Sequence, residues 1–177
     1  MIKNPVDEAT KMRQFMLHAI SLSKMAQTKM DLPITAVLTD PKSSDVVIHA
    51  HDTRLSTHHP LNHAIMLLLK ELPSVLPANS AAAFEEQDTD EEEQYYAKMY
   101  DVYITHEPCT MCCMALVHSR IRRLIFWKKM ATGAKALGWM KGDEEGALNH
   151  RYMVFEGIDD VLEGDLQVMD LDNEVYA

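Results

Sequence analysis

The sequence contains little glycine and proline, six and seven residues of 177, and no apolar run long enough to span a membrane. These absences argue against collagen-like, low-complexity and membrane-spanning classes. The amino end, Met-Ile-Lys-Asn-Pro, has no apolar stretch behind a basic region, so no secretory signal is expected. With 47% apolar residues, the length predicts a single domain over 1–177 whose core needs no disulfides.

Cysteine is also scarce, because only three residues, Cys109, Cys112 and Cys113, are present, and they lie within five positions. An odd, clustered number cannot build a disulfide framework and is typical of metal binding in a reducing compartment. We therefore predict a protein of the cytoplasm and/or the nucleus with no membrane partner.

Basic residues are outnumbered, since 17 Lys and Arg against 27 Asp and Glu produce a net charge of −10. Seven of the acidic residues lie between Glu85 and Glu93, and without them the net charge would be −3. An acidic chain is a poor nucleic-acid binder on its own, because phosphate contacts need a basic surface. Weak nucleic-acid contacts are predicted at the basic residues after the cysteines, Arg120, Arg122, Arg123, Lys128 and Lys129. A solvated helix end and strand edge explains these residues equally well.

Apolar spacing predicts an alternation of helices and strands. Recurrence at three- and four-residue intervals from Met12 to Ser23 indicates a first helix, which Pro33 closes. Strands are predicted near 34–39 and 46–50, then a helix after Pro60, a strand over 100–105, a helix from 108, and strands over 124–127, 152–155 and 166–168. The acidic residues 73–97 lack periodicity and are predicted to be a flexible insertion loop. This order predicts an α/β fold of three layers, a mixed central sheet with helices on both faces.

Three residues have the types and spacing of metal ligands. His63 stands near the start of one predicted helix, and Pro108-Cys109-Thr110-Met111-Cys112 opens another. A Cys-x-x-Cys pair in the first turn of a helix places two sulfurs on one side, and the helix amino end favours their thiolate forms. Zinc binds about four such ligands in a tetrahedron, so His63, Cys109 and Cys112 are predicted to bind Zn²⁺ with the fourth position open, as in catalytic sites.

The same residues have simpler explanations. A Cys-x-x-Cys pair can be a redox pair or two core residues, and a single histidine is most often a core or surface residue. The joint pattern, with a strand before it and a helix after it, favours the metal. Cys113 is predicted to point into the core and not to bind the metal.

One position departs from the pattern of zinc deaminases. Those enzymes carry His-x-Glu ahead of Pro-Cys-x-x-Cys, and the glutamate moves protons between an activated water and the leaving amine. Here the glutamate position is Ile65. An alkyl chain neither accepts nor donates a proton, so we predict no catalytic residue and a rate lowered beyond the roughly 10²–10⁴-fold that one such group supplies.

Several segments together resemble a known family. Residues 59–66, His-Pro-Leu-Asn-His-Ala-Ile-Met, and residues 100–123, which contain Thr-His-Glu-Pro-Cys-Thr-Met-Cys-Cys-Met-Ala-Leu-Val-His-Ser-Arg, resemble the non-catalytic subunit of the eukaryotic heterodimeric tRNA-specific adenosine (wobble A34) deaminase. This subunit belongs to the cytidine/deoxycytidylate deaminase-like superfamily. Residues 148–155 are similar to a later segment of the same subunit, so the resemblance covers the central half to two thirds of the chain.

The resemblance implies a fold, a cofactor and a partner. It implies a cytidine-deaminase-like fold with zinc at His63, Cys109 and Cys112, and a heterodimer with a catalytic subunit that converts adenosine to inosine at the tRNA wobble position. The chain would not be an enzyme on its own and would meet tRNA through the complex. Glu107 belongs to a separate position of the motif and is not expected to replace the missing glutamate. The additional N-terminal domain of the family, thought to engage tRNA, is expected to be absent.

Two other functions stay open at this point. The chain could be an active zinc-dependent nucleotide or nucleoside deaminase with another proton shuttle, or a zinc-stabilised module unrelated to deamination. Ile65 favours the non-catalytic subunit. As a further hypothesis, the polar terminal residues 170–177 cap the fourth zinc position.

Overall fold

The computed structural model describes residues 5–76, 97–131, 133 and 150–156. The helices are α1 (Pro5–Thr28), α2 (Arg54–Thr57), α3 (Ala64–Val75) and α4 (Thr110–His118). The strands are β1 (Thr35–Asp40), β2 (Asp45–His51), β3 (Asp101–His106), β4 (Arg123–Lys128) and β5 (Met153–Glu156). Within these residues, no helix is both long and apolar enough to cross a membrane.

The five strands form one mixed sheet in the order β2-β1-β3-β4-β5. The first two strands form a hairpin, in which Asp40 pairs with Asp45 and Ser44 has a left-handed backbone with φ of 63°. β1 also pairs antiparallel with β3, whereas β3, β4 and β5 run parallel. Parallel strands need crossover connections, and α4 is the crossover between β3 and β4. The predicted mixed sheet is confirmed.

Alternate residues of the strands face opposite layers of helix, as the pleat requires. On one face, Val37, Tyr103 and Ile125 pack against the α1 side chains Met16, Ala19 and Ile20. On the other face, Leu38, Ile104 and Phe126 pack against Ile65 and Leu68 of α3 and Leu116 of α4. Each fully buried Val, Leu, Ile, Phe or Met side chain among these stabilises the fold by about 1.5–3 kcal/mol. The predicted three-layer α/β fold is therefore confirmed.

The structure corrects the sequence prediction around α3. The helix after Pro60 begins at Ala64, and the short helix α2 before it was not predicted. Pro73, predicted to open the insertion loop, lies inside α3, which continues to Val75. A proline costs a helix one backbone hydrogen bond, but Leu68 and Leu72 are completely buried, and their packing holds the last turn in place.

The remaining predictions for these regions fall largely outside the described residues. Most of the predicted insertion, the strand over 166–168 and the tail 170–177 lie there. The single-domain organisation and the absence of the family's N-terminal domain stay predictions.

Candidate metal centre

His63 lies directly ahead of α3. Its backbone is extended, with φ of −67° and ψ of 148°, and its carbonyl accepts the backbone hydrogen bond of Leu67 at 3.0 Å. The residue is thus the N-cap of the helix, but its side chain makes no capping hydrogen bond. The imidazole is left available for a contact with another element.

The two cysteines belong to the start of α4. Cys109 is the N-cap, with φ of −69° and ψ of 168°, and Cys112 lies in the first turn, where it is 2% exposed. The amino end of a helix carries partial positive charge and unpaired N–H groups, so it stabilises a thiolate. The Cys-x-x-Cys pair therefore lies where the sequence predicts it.

The tertiary fold brings the three predicted ligands together. The ligand atoms of His63, Cys109 and Cys112 all lie within 4.8 Å of one another, and Cys109 Sγ is 3.9 Å from His63 Nδ1. Zn–S bonds of about 2.3 Å and Zn–N bonds of about 2.0 Å in a tetrahedron place ligand atoms roughly 3.5–3.8 Å apart. The set of two sulfurs and one imidazole nitrogen thus fits a zinc ion in both chemistry and spacing.

The two thiols share one proton when no metal intervenes. The hydrogen bond from Cys112 is the main cause that lowers the pKa of Cys109 to about 4, with help from His63. The same hydrogen bond, together with burial, raises the pKa of Cys112. Zinc requires both sulfurs as thiolates, so its binding displaces this proton and is weakened by acid.

Ile65 forms part of a cavity beside the ligands. The cavity has a volume of about 200 Å³, and its apolar wall includes Ile34, Ile65, Ile104 and Met130. Ile65 lies in the first turn of α3, two positions after His63, and is completely buried. The predicted position of the proton shuttle is therefore occupied by hydrocarbon that packs into the core.

Two carboxylates also line the cavity, and both are bound by other groups. Asp52 is 1% exposed and accepts hydrogen bonds from the Arg54 Nε to both of its oxygens at 3.0 Å. Glu107 accepts a hydrogen bond from the Met130 backbone at 2.9 Å. A Cβ atom at Gly133 would lie 2.5 Å from Glu107 Oε2, so the glycine makes room for this carboxylate.

His106, at the end of β3, also lines the cavity. It is 5% exposed; its Nδ1 lies 3.0 Å from Thr105 Oγ1, and its Nε2 is buried with no hydrogen-bond partner among the described residues. Burial, and to a lesser degree Lys128, lowers the pKa of His106 to about 4. The imidazole is therefore neutral at physiological pH.

Sequence reasoning did not single out Asp52, Arg54 and His106. Periodicity identifies apolar faces, but it does not show which polar side chain will be buried. The one available signal was position, because Asp52 and Arg54 follow β2 directly and His106 directly precedes Glu107-Pro108-Cys109.

The five basic residues predicted as nucleic-acid contacts lie at opposite ends of the parallel strands. Arg120, Arg122 and Arg123 lie at the amino ends of the parallel strands, and Lys128 and Lys129 lie at the carboxyl ends. The length of a six-residue strand separates the two ends by roughly 17 Å. Cys109 follows the carboxyl end of β3, so Lys128 and Lys129 lie at the same ends of the strands as the candidate metal site.

Arg122 and Arg123 form ion pairs with buried or half-buried carboxylates. Arg122 binds both oxygens of Asp101, at 2.8 and 2.6 Å. Arg123 is 9% exposed in its side chain and binds Asp101 and Glu8. At the other edge, Lys128 lies over the Trp127 ring, 5.4 Å from its centroid, and Lys129 lies 3.5 Å from Glu156. Nucleic-acid contact by any of the five stays a prediction.

The chain matches known proteins in sequence and in fold. The probable inactive tRNA-specific adenosine deaminase-like protein 3 of Danio rerio is 33% identical over 165 residues, with 85% of this chain and 48% of the relative covered. The tRNA-specific adenosine deaminase subunit tad3 of Schizosaccharomyces pombe is 31% identical over 155 residues, with 86% and 47% covered. A structure solved in work on A-to-I editing by tRNA:A34 deaminases at the wobble position of transfer RNA has a TM-score of 0.59 at 23% identity, with 82% of this chain and 98% of that one covered.

The three-layer fold and the His-Cys-Cys group define a cytidine-deaminase-like domain. Residues 9–128 match the family of the cytidine and deoxycytidylate deaminase zinc-binding region, and the chain belongs to that family. The resemblance to the non-catalytic tRNA deaminase subunit is confirmed by the relatives named above. The chain spans about half the length of these curated relatives.

Proposed function

We propose that this chain is the non-catalytic subunit of a tRNA adenosine deaminase and that it binds one zinc ion through His63, Cys109 and Cys112. The observation that carries this proposal is the combination of a complete ligand group with Ile65 in the shuttle position. A deaminase needs a group that moves a proton to the leaving amine, and a buried alkyl chain cannot do so. Bound zinc would supply Lewis-acid chemistry and hold the two helix starts together.

The other carboxylates of the cavity do not favour an active enzyme. Asp52 is held by the Arg54 side chain and backbone, and Glu107 is held by the Met130 backbone. A proton carrier must alternate between donor and acceptor, whereas these contacts keep both groups as acceptors. This argues against the alternative of a nucleotide or nucleoside deaminase with a replacement shuttle.

A partner surface is available on the helix layer that carries the ligands. Met111 and Met114 of α4 are 36% and 47% exposed, and Leu61, just before α3, is 53% exposed. The solvent side of α1 exposes the polar side chains of Lys11, Gln14 and His18 and one methionine, Met25. The exposed apolar side chains close to the candidate ligands fit a protein partner, and methionine is enriched in interfaces. The proposed occupant is the catalytic subunit.

The proposed contact with tRNA is made through the complex. The net charge of −10 disfavours RNA binding by this chain alone, and Arg122 and Arg123 already neutralise Asp101. We further propose residence in the cytoplasm and/or the nucleus, since a metal site with two thiolates requires a reducing compartment.

The decisive experiment measures inosine at the wobble position of a substrate tRNA with the chain alone, a catalytic subunit alone, and both together. We expect no inosine from the chain alone and more from the pair than from the catalytic subunit alone. Deamination of tRNA, or of free nucleosides and nucleotides, by the chain alone at a zinc-dependent rate would overturn the proposal. A pair no more active than the catalytic subunit alone would overturn the partnership and leave the zinc-stabilised module.

A further inference from the structure

Cys113 is the one cysteine of the cluster that the metal centre does not use. Its side chain is 2% exposed, and its Sγ lies 3.6 Å from the Pro108 carbonyl oxygen. Its backbone N–H donates to the Cys109 carbonyl at 2.9 Å. Cys113 therefore contacts the carbonyl oxygens of Pro108 and Cys109, which belong to the two peptide units on either side of the Cys109 Cα atom.

These two contacts act on the residue that presents a metal ligand. The Pro108 carbonyl belongs to the peptide unit that leads into Cys109, and the Cys109 carbonyl belongs to the unit that leads out of it. Holding both units fixes the φ and ψ angles of Cys109, and with them the direction of its Cα–Cβ bond. The Cys109 sulfur is thereby directed towards His63, 3.9 Å away.

Cys113 also contacts Tyr152, whose hydroxyl lies within hydrogen-bonding reach of the Cys113 side chain. The Tyr152 hydroxyl, ahead of β5, donates to the Cys113 carbonyl at 3.4 Å, and Tyr152 is 7% exposed. Successive residues of an α-helix project about 100° apart, which explains why Cys112 faces the ligands whereas Cys113 faces Pro108.

We propose that Cys113 is a positioning residue for the metal ligand Cys109, and that its S–H group acts by holding the Pro108 carbonyl. This role rests on the proposed zinc site. The thiol donates one hydrogen bond, the Pro108 carbonyl accepts it, and no bond to the metal is involved. Groups that orient a ligand in this way commonly change metal affinity by about 10–100-fold when removed.

The test compares three variants of the full chain. C113A removes the donor, C113S keeps a donor of similar size, and V117A removes apolar volume from α4 without touching Pro108. Zinc affinity is measured by competition with a chromogenic chelator, and ligand geometry by the visible absorption of the Co²⁺-loaded protein. Circular dichroism checks that each variant is folded.

We expect C113A to lower zinc affinity by about tenfold and to shift the cobalt spectrum, and C113S to recover affinity to within about threefold. V117A should leave both readouts unchanged. An unchanged affinity and spectrum in C113A would overturn the positioning role while leaving the zinc site intact. A C113S variant as weak as C113A would also overturn it, because the donor would then not be the cause. Wild-type chain that binds neither ion would instead overturn the proposed zinc site.

Discussion

We expect Ile65, in place of a glutamate, to remove the proton transfer on which an active deaminase depends. Its side chain is completely buried in the first turn of α3, in the same core cluster as Leu68 and Leu116. The position has therefore become part of the hydrophobic core, and a carboxylate there would lack the environment that keeps it charged.

Substitution of Ile65 by Glu is expected to destabilise the metal-free protein rather than to make an enzyme of it. A buried carboxylate with no partner should lower the free energy of unfolding by about 3 kcal/mol or more at pH 8, and by less at pH 5, where the carboxyl is protonated. Urea denaturation at the two pH values measures this. I65L, which keeps the volume, should cost less than about 1.5 kcal/mol at both. Equal losses for I65E at the two pH values would contradict the expectation.

His106 is expected to make stability depend on pH. Its folded pKa of about 4 lies below the unfolded value of 6.5, so the unfolded chain binds the proton more readily. The contribution of His106 to stability should therefore be complete above about pH 6.5 and fall as the pH drops towards 4, by up to about 3 kcal/mol. The measurement is chemical denaturation of metal-free protein across this range, and H106Q should show a flatter profile. A wild-type profile no steeper than that of H106Q would show that another group is responsible.

At the scale of elements, the amino ends of α3 and α4 serve the candidate metal site, and the buried faces of the same helices serve the core. The amino ends present His63 and Cys109, and the buried faces fill the core under the sheet. The outer face of α4 retains Met111 and Met114 in partial exposure. The exposed residues of α4 are thus two polar ones, Thr110 and His118, and two methionines whose apolar surface is available to a partner.

Charges placed on the outer face of α4 should prevent pairing without unfolding the chain. M111E/M114E is expected to weaken association with the catalytic subunit by more than about tenfold, because a desolvated charge at an interface is costly. Stability should change by less than about 0.5 kcal/mol per site, as is usual for exposed positions. Analytical ultracentrifugation of the mixture measures association. H18E, on the polar side of α1, is the matched control, and equal loss from both variants would place the interface elsewhere.

At the scale of the whole molecule, the proposed zinc site would connect two helices from distant parts of the chain. His63 and Cys109 are 46 positions apart and lie on different elements. A ligand that binds only the folded state stabilises it by mass action. The site is thus expected to contribute to the stability of the whole described fold.

Zinc should therefore raise the midpoint of thermal unfolding. At a free concentration of about 100 times the Kd, the stabilisation is about 2.7 kcal/mol, which chelation should remove. Differential scanning calorimetry with zinc and with chelator measures the shift. C112S should show no shift because one thiolate is gone, whereas a shift of wild-type size in C112S would exclude this ligand group. The shift should also shrink as the pH falls, since protons compete for the thiolates.

The class of fold and the candidate metal ligands follow from the sequence alone. Met16, Ala19 and Ile20 repeat at helical spacing, and Cys109 and Cys112 lie one turn apart, so both patterns express the local geometry of one element. Ile65 needed no structure either, because an alkyl chain cannot carry a proton in any fold. Such properties belong to residue type and short-range spacing.

Which distant polar groups meet depends on the packing of the layers and became clear from the three-dimensional structure. It placed His63 within 3.9 Å of Cys109, paired Arg122 and Arg123 with Asp101, and buried His106 beside the cavity. It also continued α3 past Pro73, because the packing of Leu68 and Leu72 outweighs the local penalty of a proline. Burial and long-range pairing depend on how layers pack, and that information is not contained in any one segment of the chain.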